Sequence, residues 1–569
     1  MSIRNALRPF INPVFPIIVI LSWSCANPVA PTGGPKDVTP PEVMGTQPEN
    51  ASLNFKDNKI ELTFNEYVQL KNTKDQVIIS PPFHEEPEFR IRGKSVTIDF
   101  EETLRENTTY TILFGRAISD ITENNPLANY RYIFSTGSFL DSLSLDGRLV
   151  NAFTLQPELN VFVMLYDTPG DSVPYLELPT YVARTDSSGV FHFYNLKDQP
   201  YQVFALKEIN GNYRYDFITE QIAFADTLVQ PYFIPSMNAI ELTDSTPVPK
   251  TVHPELMLYL FQETDSTQKM LESKLVQEGV ARLVFKRPLE DPSVRILDTL
   301  ATQRWYLPEW NDTRDTLQLW LYKDIPDTIH MEVRDDTTFA DTVRLVTKPL
   351  VRDARAKKGP ADEKLLLSSN IRSGKLDPFR QLILLFSHPV QLGDLSRLLL
   401  IRGQDTIVPE SSFSDSLQRQ LIIHAHREAD SSYQLLIPDS TFLSIRGTSH
   451  DTVRFSFTDR SPEEYGTMVL NLRMPDTACQ YLLQLITAKE EVVMQEKMTG
   501  SASGRIEFPN LIPGKYNVKV IYDQNQNNQW DTGKYILKRA PEKVLYYEKT
   551  LEIRANWISE ETWDLPGQK

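Results

Sequence analysis

Carboxylates and carboxamides fall on alternate positions in the segment Asp523-Gln524-Asn525-Gln526-Asn527-Asn528-Gln529-Trp530-Asp531. Hard oxygen donors spaced in this way on a tight loop are what a calcium ion takes, so Asp523, Asn525, Asn527 and Asp531 are candidate metal ligands. Asn528 stands where a glycine would ease the sharp turn, and no glutamate follows at the twelfth position. The competing reading is therefore a hairpin loop capped by its own Asn and Asp side chains. A related stretch, Glu208, Asn210, Asn212 and Asp216, keeps the oxygens but is interrupted by Tyr213 and Arg214. His424 and His426 would face one side of a strand, yet two ligands are too few for a metal centre. Trp305, Tyr306 and Trp310, with Trp320 nearby, are candidate ligand-binding residues, because aromatic faces stack on sugar rings and anchor interfaces; core packing is their commoner use. The chain holds no Gly-x-Ser-x-Gly, His-Glu-x-x-His, Gly-rich phosphate loop or Cys-x-x-Cys. Paired acids such as Glu85-Glu86, Glu101-Glu102, Asp335-Asp336 and Glu560-Glu561 are frequent, and a hydrolase would need two of them to converge in a cleft.

Cys25 is the other residue with chemistry to offer. Arg4 and Arg8 precede the apolar run Phe15 to Leu21, and Ser22-Trp23-Ser24 leads into the cysteine. This is the layout of a secretory signal peptide, and the apolar run is far short of the ~20 residues a membrane span needs. With a small residue before the cysteine, the segment resembles the lipobox of bacterial lipoproteins, although Leu21 lies four residues upstream and Trp23 is bulky. The resemblance implies cleavage after Ser24 and acylation of Cys25, so that acyl chains rather than charge hold the protein to a membrane. The only other cysteine is Cys479, which leaves no partner for an intramolecular disulfide and reads as a small buried apolar residue.

The chain has 569 residues and a net charge of −16, two units more negative once Arg4 and Arg8 are removed. That balance disfavours nucleic acid, whose phosphates call for clustered Lys and Arg. Prolines outnumber glycines, 39 to 22, and short Thr-, Val- and Tyr-rich stretches alternate strictly, which predicts an all-β fold of tandem antiparallel sandwiches with Pro-punctuated loops. Examples are 59–64, 95–100, 109–114 and 130–136. About seven such strands in one stretch predict an immunoglobulin-like sandwich over 40–137. A signal peptide (1–24) and a Pro/Gly-rich tether (25–39) precede it. A second sandwich is expected over 140–235 and a β domain of unassigned fold over 240–350, with one helix near 268–276. The charged segment 351–364 reads as a linker.

Repetition fixes the rest of the order. Gly189 to Leu196 matches Gly504 to Leu511 at an offset of 315, and the same frame aligns Tyr201 with Tyr516, Val203 with Val518, Glu208 with Asp523 and Asp216 with Asp531. A second pair aligns Ile60, Leu62, Phe64 and Val68 with Leu382, Leu384, Phe386 and Val390 at offset 322, then Tyr110 and Phe134 with Tyr433 and Phe457 at 323. The chain is thus a duplicated pair: 40–137 recurs as 365–459, and 140–235 recurs as 463–569.

Pro31 to Asp37 and Pro40-Pro41, followed by Leu62 to Val68, resemble envelope lipoproteins of Bacteroidetes that open with a bacterial Ig-like domain of the S-layer type. Asp523 to Gly533 and Arg554 to Trp557 resemble the same family, and the two other sandwiches resemble prealbumin-like or carboxypeptidase-regulatory-like domains. The resemblance implies a fold and an address but no known activity. With Ala26 after Cys25, and no acidic cluster from Ala26 to Gly34, it implies an outer-membrane lipoprotein, with the periplasmic leaflet favoured over the cell surface. The expected function is a non-catalytic, lipid-anchored envelope protein serving as a binding, spacer or scaffold module. No cofactor is expected beyond structural calcium; partners would be the membrane through the anchor and an envelope protein or glycan. Two alternatives stand beside it, a glycan-binding accessory lipoprotein using the aromatic segment and a hydrolase with an inter-domain acidic site.

Overall fold

The computed structural model describes residues 36–233, 256–298, 305–323, 325–336, 339–347 and 364–567. The signal peptide, Cys25 and most of the tether and linker lie outside them. The described residues form two compact units, those within Met1–Leu149, Glu158–Arg214 and Phe224–Leu258, and those within Val150–Pro157, Tyr215–Ala223 and Tyr259–Lys569.

The first unit begins with a sandwich whose sheets are Val43–Gln47, Lys59–Phe64, Ser95–Asp99 and Glu88–Arg92 on one side and Ile78–Ser80, Thr109–Leu113 and Arg131–Ser135 on the other. Strict alternation sends Ile60, Leu62 and Phe64 inward to meet Ile98, Tyr110, Ile112 and Phe134. Each such side chain contributes roughly 1.5–3 kcal/mol on burial, which is how the fold holds without a disulfide. In the following sandwich Leu143–Asn151 pairs with Val190–Leu196, and Phe162–Tyr166 lies between Tyr181–Arg184 and Gln202–Lys207.

In the second unit, Gln221 pairs with Gln262 and Ile222 with Phe261, antiparallel. The residues expected to open the third domain therefore pair with an earlier strand, and that domain starts later than 240. Its fold is a two-sheet sandwich, ordered Met270–Gln277, Val280–Phe285, Thr316–Leu321, Tyr306–Trp310 and Pro292–Ile296, Thr328–Asp335, Phe339–Val346. The helix expected near 268–276 is the strand Met270–Gln277, paired antiparallel with Val280–Phe285. It is an edge strand, half apolar and exposed at most positions, and its apolar residues do not alternate in the sequence.

The fourth domain repeats the first. Leu367–Ser369, Leu382–Phe386, Gln420–His424 and Glu410–Phe413 follow the same strand order, and Leu382, Leu384, Phe386 and Val390 fill the core as Ile60, Leu62, Phe64 and Val68 do. Tyr110 stacks on Phe134 at 5.1 Å and Tyr433 on Phe457 at 5.5 Å. Each tyrosine hydroxyl accepts the amide five residues upstream, Arg105 N at 2.9 Å and Glu428 N at 2.8 Å. In the fifth domain Gly466–Arg473 runs between Ser503–Leu511 and Ile558–Asp564, facing a sheet of Val492–Met498, Gln480–Ile486, Gly514–Asp523 and Val544–Tyr546. The other repeat also survives in detail. Tyr201 donates to Lys197 O (3.1 Å) and Tyr516 to Ile512 O (2.7 Å), while Asn195 and Asn510 both turn left-handed within their strands, at φ 56° and 58°.

Candidate functional site

The four candidate calcium ligands do come together, at the end of strand Gly514–Asp523. Asp523 is fully buried. Its Oδ1 accepts Asn527 N (3.1 Å), and its Oδ2 accepts Asn528 N (2.9 Å) and Gln480 Nε2 (2.6 Å). Asn525 and Asn527 both turn their side-chain Nδ2 to Asp531 Oδ2, the latter at 2.9 Å. The loop thus spends its oxygens on its own N–H groups. Among the described residues, no three His, Cys, Asp or Glu side chains gather as metal ligands. A calcium ion would have to replace these bonds rather than enter a vacant cage.

One residue that sequence reasoning missed holds the loop from below. Glu542 is 7% exposed and accepts Gln524 N (2.8 Å) and Asp531 N (3.0 Å). Burial, with Asp523 and Asp531 adding like charge, holds its carboxyl above the usual range. Trp530 Nε1 closes the loop on Glu542 O at 2.9 Å. The earlier loop has the same frame. Gly211 and Gln526, and then Tyr213 and Asn528, are left-handed at matching positions (φ 74° and 60°, 58° and 66°). Glu220, fully buried, accepts Asp216 N and Phe217 N, each at 3.2 Å, as Glu542 accepts Asp531 N. The pair escapes the 315 frame because seven further residues, around the turn Tyr535–Leu537, separate Asp531 from Glu542.

The candidate aromatic residues lie in and against the third domain's core. Trp305 is 2% exposed in the third domain's core; Tyr306 packs on it at 4.2 Å, and the half-buried Trp310 packs on Phe285 at 6.0 Å. The faces of Trp305 are spent on folding, and Tyr306 and Trp310 each give part of theirs to it. His424 ends its strand, exposed, beside Ser412 Oγ (3.0 Å), and His426 lies beyond it, so the two share no continuous strand face. Cys479 is buried, and burial pushes its thiol up to about 11. No described helix is long and apolar enough to cross a membrane.

What the structure adds is a set of domain joints. In strand Thr316–Leu321, Leu317, Leu319 and Leu321 point into the third domain, so alternation sends Trp320 outward. Trp320 is nevertheless only 2% exposed, because Ile445, Leu417 and Arg419 of the fourth domain cover it. The Arg419 guanidinium lies 4.4 Å from its ring and pairs with Glu309 at 2.6 Å, and Trp320 Nε1 donates to the same carboxylate at 2.7 Å. In the first unit Arg131, also buried, stacks on Tyr194 of the next sandwich at 4.4 Å, and Lys197 Nζ reaches back to Thr108 Oγ1 (3.1 Å).

The family described as a bacterial Ig-like domain matches residues 37–136, the span of the first sandwich. No curated protein matches the chain. Among solved structures, the S-layer protein rSbsC(31-844) is 12% identical over 90% of this chain and 67% of its own, with a TM-score of 0.13. The Bacillus anthracis TIE protein is 9% identical over 94% and 75%, also at 0.13. The SGBP-B protein of the Bacteroides ovatus mixed-linkage glucan utilization locus, solved with a mixed-linkage heptasaccharide, is 10% identical over 73% and 94%, at 0.17.

Proposed function

We propose that this chain is a non-catalytic scaffold or spacer of the bacterial cell envelope, tethered by lipid on Cys25 and carrying a binding surface on tandem β-sandwiches. The observation that supports it most is the construction of the joints. Trp320 and Arg131 each contact the next sandwich, one through a small core of its own and the other by stacking on Tyr194, so neighbouring modules are coupled. Stiff coupling suits a part that must hold a binding face at a fixed distance from a membrane. The Ig-like first domain, a type shared by many adhesive and structural arrays, agrees with this. The outer membrane, periplasmic leaflet, is the proposed address, with an envelope protein or glycan as partner.

The test is intact mass and membrane partition of the protein from its native envelope beside Cys25→Ala. A mature chain beginning at Cys25 with acyl chains attached, and release of the variant from the membrane, are expected. An unmodified chain that never partitions with membrane would overturn the anchor and leave a secreted sandwich array.

A further inference from the structure

The joint between the third and fourth domains holds a histidine that the scaffold reading leaves unused. His388, 3% exposed, meets the edge of Trp320 at 5.4 Å between ring centres. Its Nδ1 lies 3.1 Å from Ser387 Oγ, which already accepts Leu366 N, and its Nε2 lies 3.4 Å from Gln277 Nε2 of the third domain. The arrangement is satisfied by a neutral ring whose Nδ1 carries the proton and whose Nε2 accepts from Gln277. Two cations stand around it. Arg419 lies over the ring of Trp320, and Arg446 spans the boundary, donating to Leu321 O (3.4 Å) and Tyr322 O (3.5 Å). The acids of the joint are already engaged, Glu309 with Arg419 at 2.6 Å and Glu278 with Arg446 at 2.7 Å. Gly279 lets Arg446 lie this close. It sits at φ +80°, and a Cβ there would stand 2.6 Å from Arg446 Cδ.

We propose that this joint is a proton-sensitive coupling: a second proton on His388 forces the Gln277 carboxamide to turn over and sets a third cation beside Arg419 and Arg446, and the two domains uncouple. Burial first, then Arg446 and Arg419, already hold the imidazole below its ordinary value of 6.5 in the closed joint. The sign follows. The open joint binds the proton better, so closure is fully stable above the free imidazole's value and is lost as pH falls through it. The Trp320 contact, which buries an outward-facing side chain of one domain against another, is what the charge loosens.

Hydrogen exchange on the full chain tests this, read at Leu321 N, bonded to Gly279 O, and Ile445 N, bonded to Pro389 O, after correction for the intrinsic effect of pH. Protection at both should fall below about pH 6.5, by up to about tenfold per pH unit for one linked proton, while the inner strand Thr328–Asp335 stays protected. His388→Gln, which cannot charge, should flatten the profile. Gln277→Glu supplies an acid partner for the charged ring and should reverse it, with protection rising in mild acid. Equal acid loss in wild type and His388→Gln, or no loss in wild type, overturns the proposal; the Gln277→Glu arm decides the matter if His388→Gln fails to fold.

Discussion

The loops 208–216 and 523–531 occupy equivalent places in the two duplicated sandwiches; they agree in their backbone turns and in the oxygen-bearing side chains at the four candidate ligand positions, and diverge at the residues between them. Both turn left-handed at the fourth and sixth positions, and both rest on a buried glutamate. The outward groups diverge. Tyr213 leaves its loop to pack edge-on against Phe162 at 4.9 Å, under the guanidinium of Arg184, whereas Asn528 stays with Gln480 Nε2 (3.2 Å) and Lys497 Nζ (3.3 Å). Duplication has kept a way of closing a hairpin and let its side-chain chemistry drift.

The comparison breaks most sharply at the glutamates. Glu542→Ala strands two amides and should cost about 2–4 kcal/mol, and Glu220→Ala, whose bonds are longer, about 1–3 kcal/mol, at 1–3 kcal/mol per buried group left unpaired. Local hydrogen exchange around each loop measures both. A large loss at one loop and none at the other would show that the frames are not equivalent. Glu542→Gln keeps an acceptor and should cost less at neutral pH. It should also remove a pH dependence. Because the folded carboxyl is raised, the native state holds the proton better, and stability rises as pH falls through the folded value toward 4.5. The Gln variant should show no such gain.

The first and fourth domains sharpen the same point at smaller cost. Tyr110→Phe and Tyr433→Phe each remove the acceptor of one upstream amide and should each lose about 1 kcal/mol, or roughly fivefold in local protection. Equal losses would mean that the corner is a shared folding device. Unequal ones would mean that the stacked partners Phe134 and Phe457, at 5° and 22° to their tyrosines, carry different shares.

Much of this was legible in the sequence because alternation and repetition are local signals. Lys59–Phe64, Ser95–Asp99 and Thr109–Leu113 are strands where the pattern put them, and the 315 and 322 offsets align residues that share positions in space. What escaped depends on what lies across a boundary. Met270–Gln277 is an edge strand with few buried positions, so its scattered Leu271 and Leu275 suggest a helix. Trp320 looks like one more aromatic in a cluster, although alternation alone sends it outward from Leu317, Leu319 and Leu321; only the fourth domain reveals why an outward tryptophan is tolerated. Glu220 and Glu542 sit at unequal distances from the loops they hold, so no fixed offset pairs them.

The smallest expected effect is the most discriminating for the Asp523 loop. Its closure uses N–H donors throughout, from the backbone and from Asn525 and Asn527, and the bonds to Asp531 are made by amide nitrogen rather than shared among oxygens around a common centre. Calcium would have to draw the amide oxygens of Asn525 and Asn527 inward, turn their nitrogens away from Asp531, and share or displace the backbone donors now held by Asp523. Millimolar calcium should therefore leave the thermal midpoint of the full chain, and the exchange rates of residues 523–531, where they were. A rise in either that Asn527→Ala abolishes, with no corresponding rise at 208–216, would make the fifth domain a cation-stabilised module and its duplicate a hairpin that had lost the ion. Unchanged rates at both loops would leave the buried glutamate as the common element that fixes them.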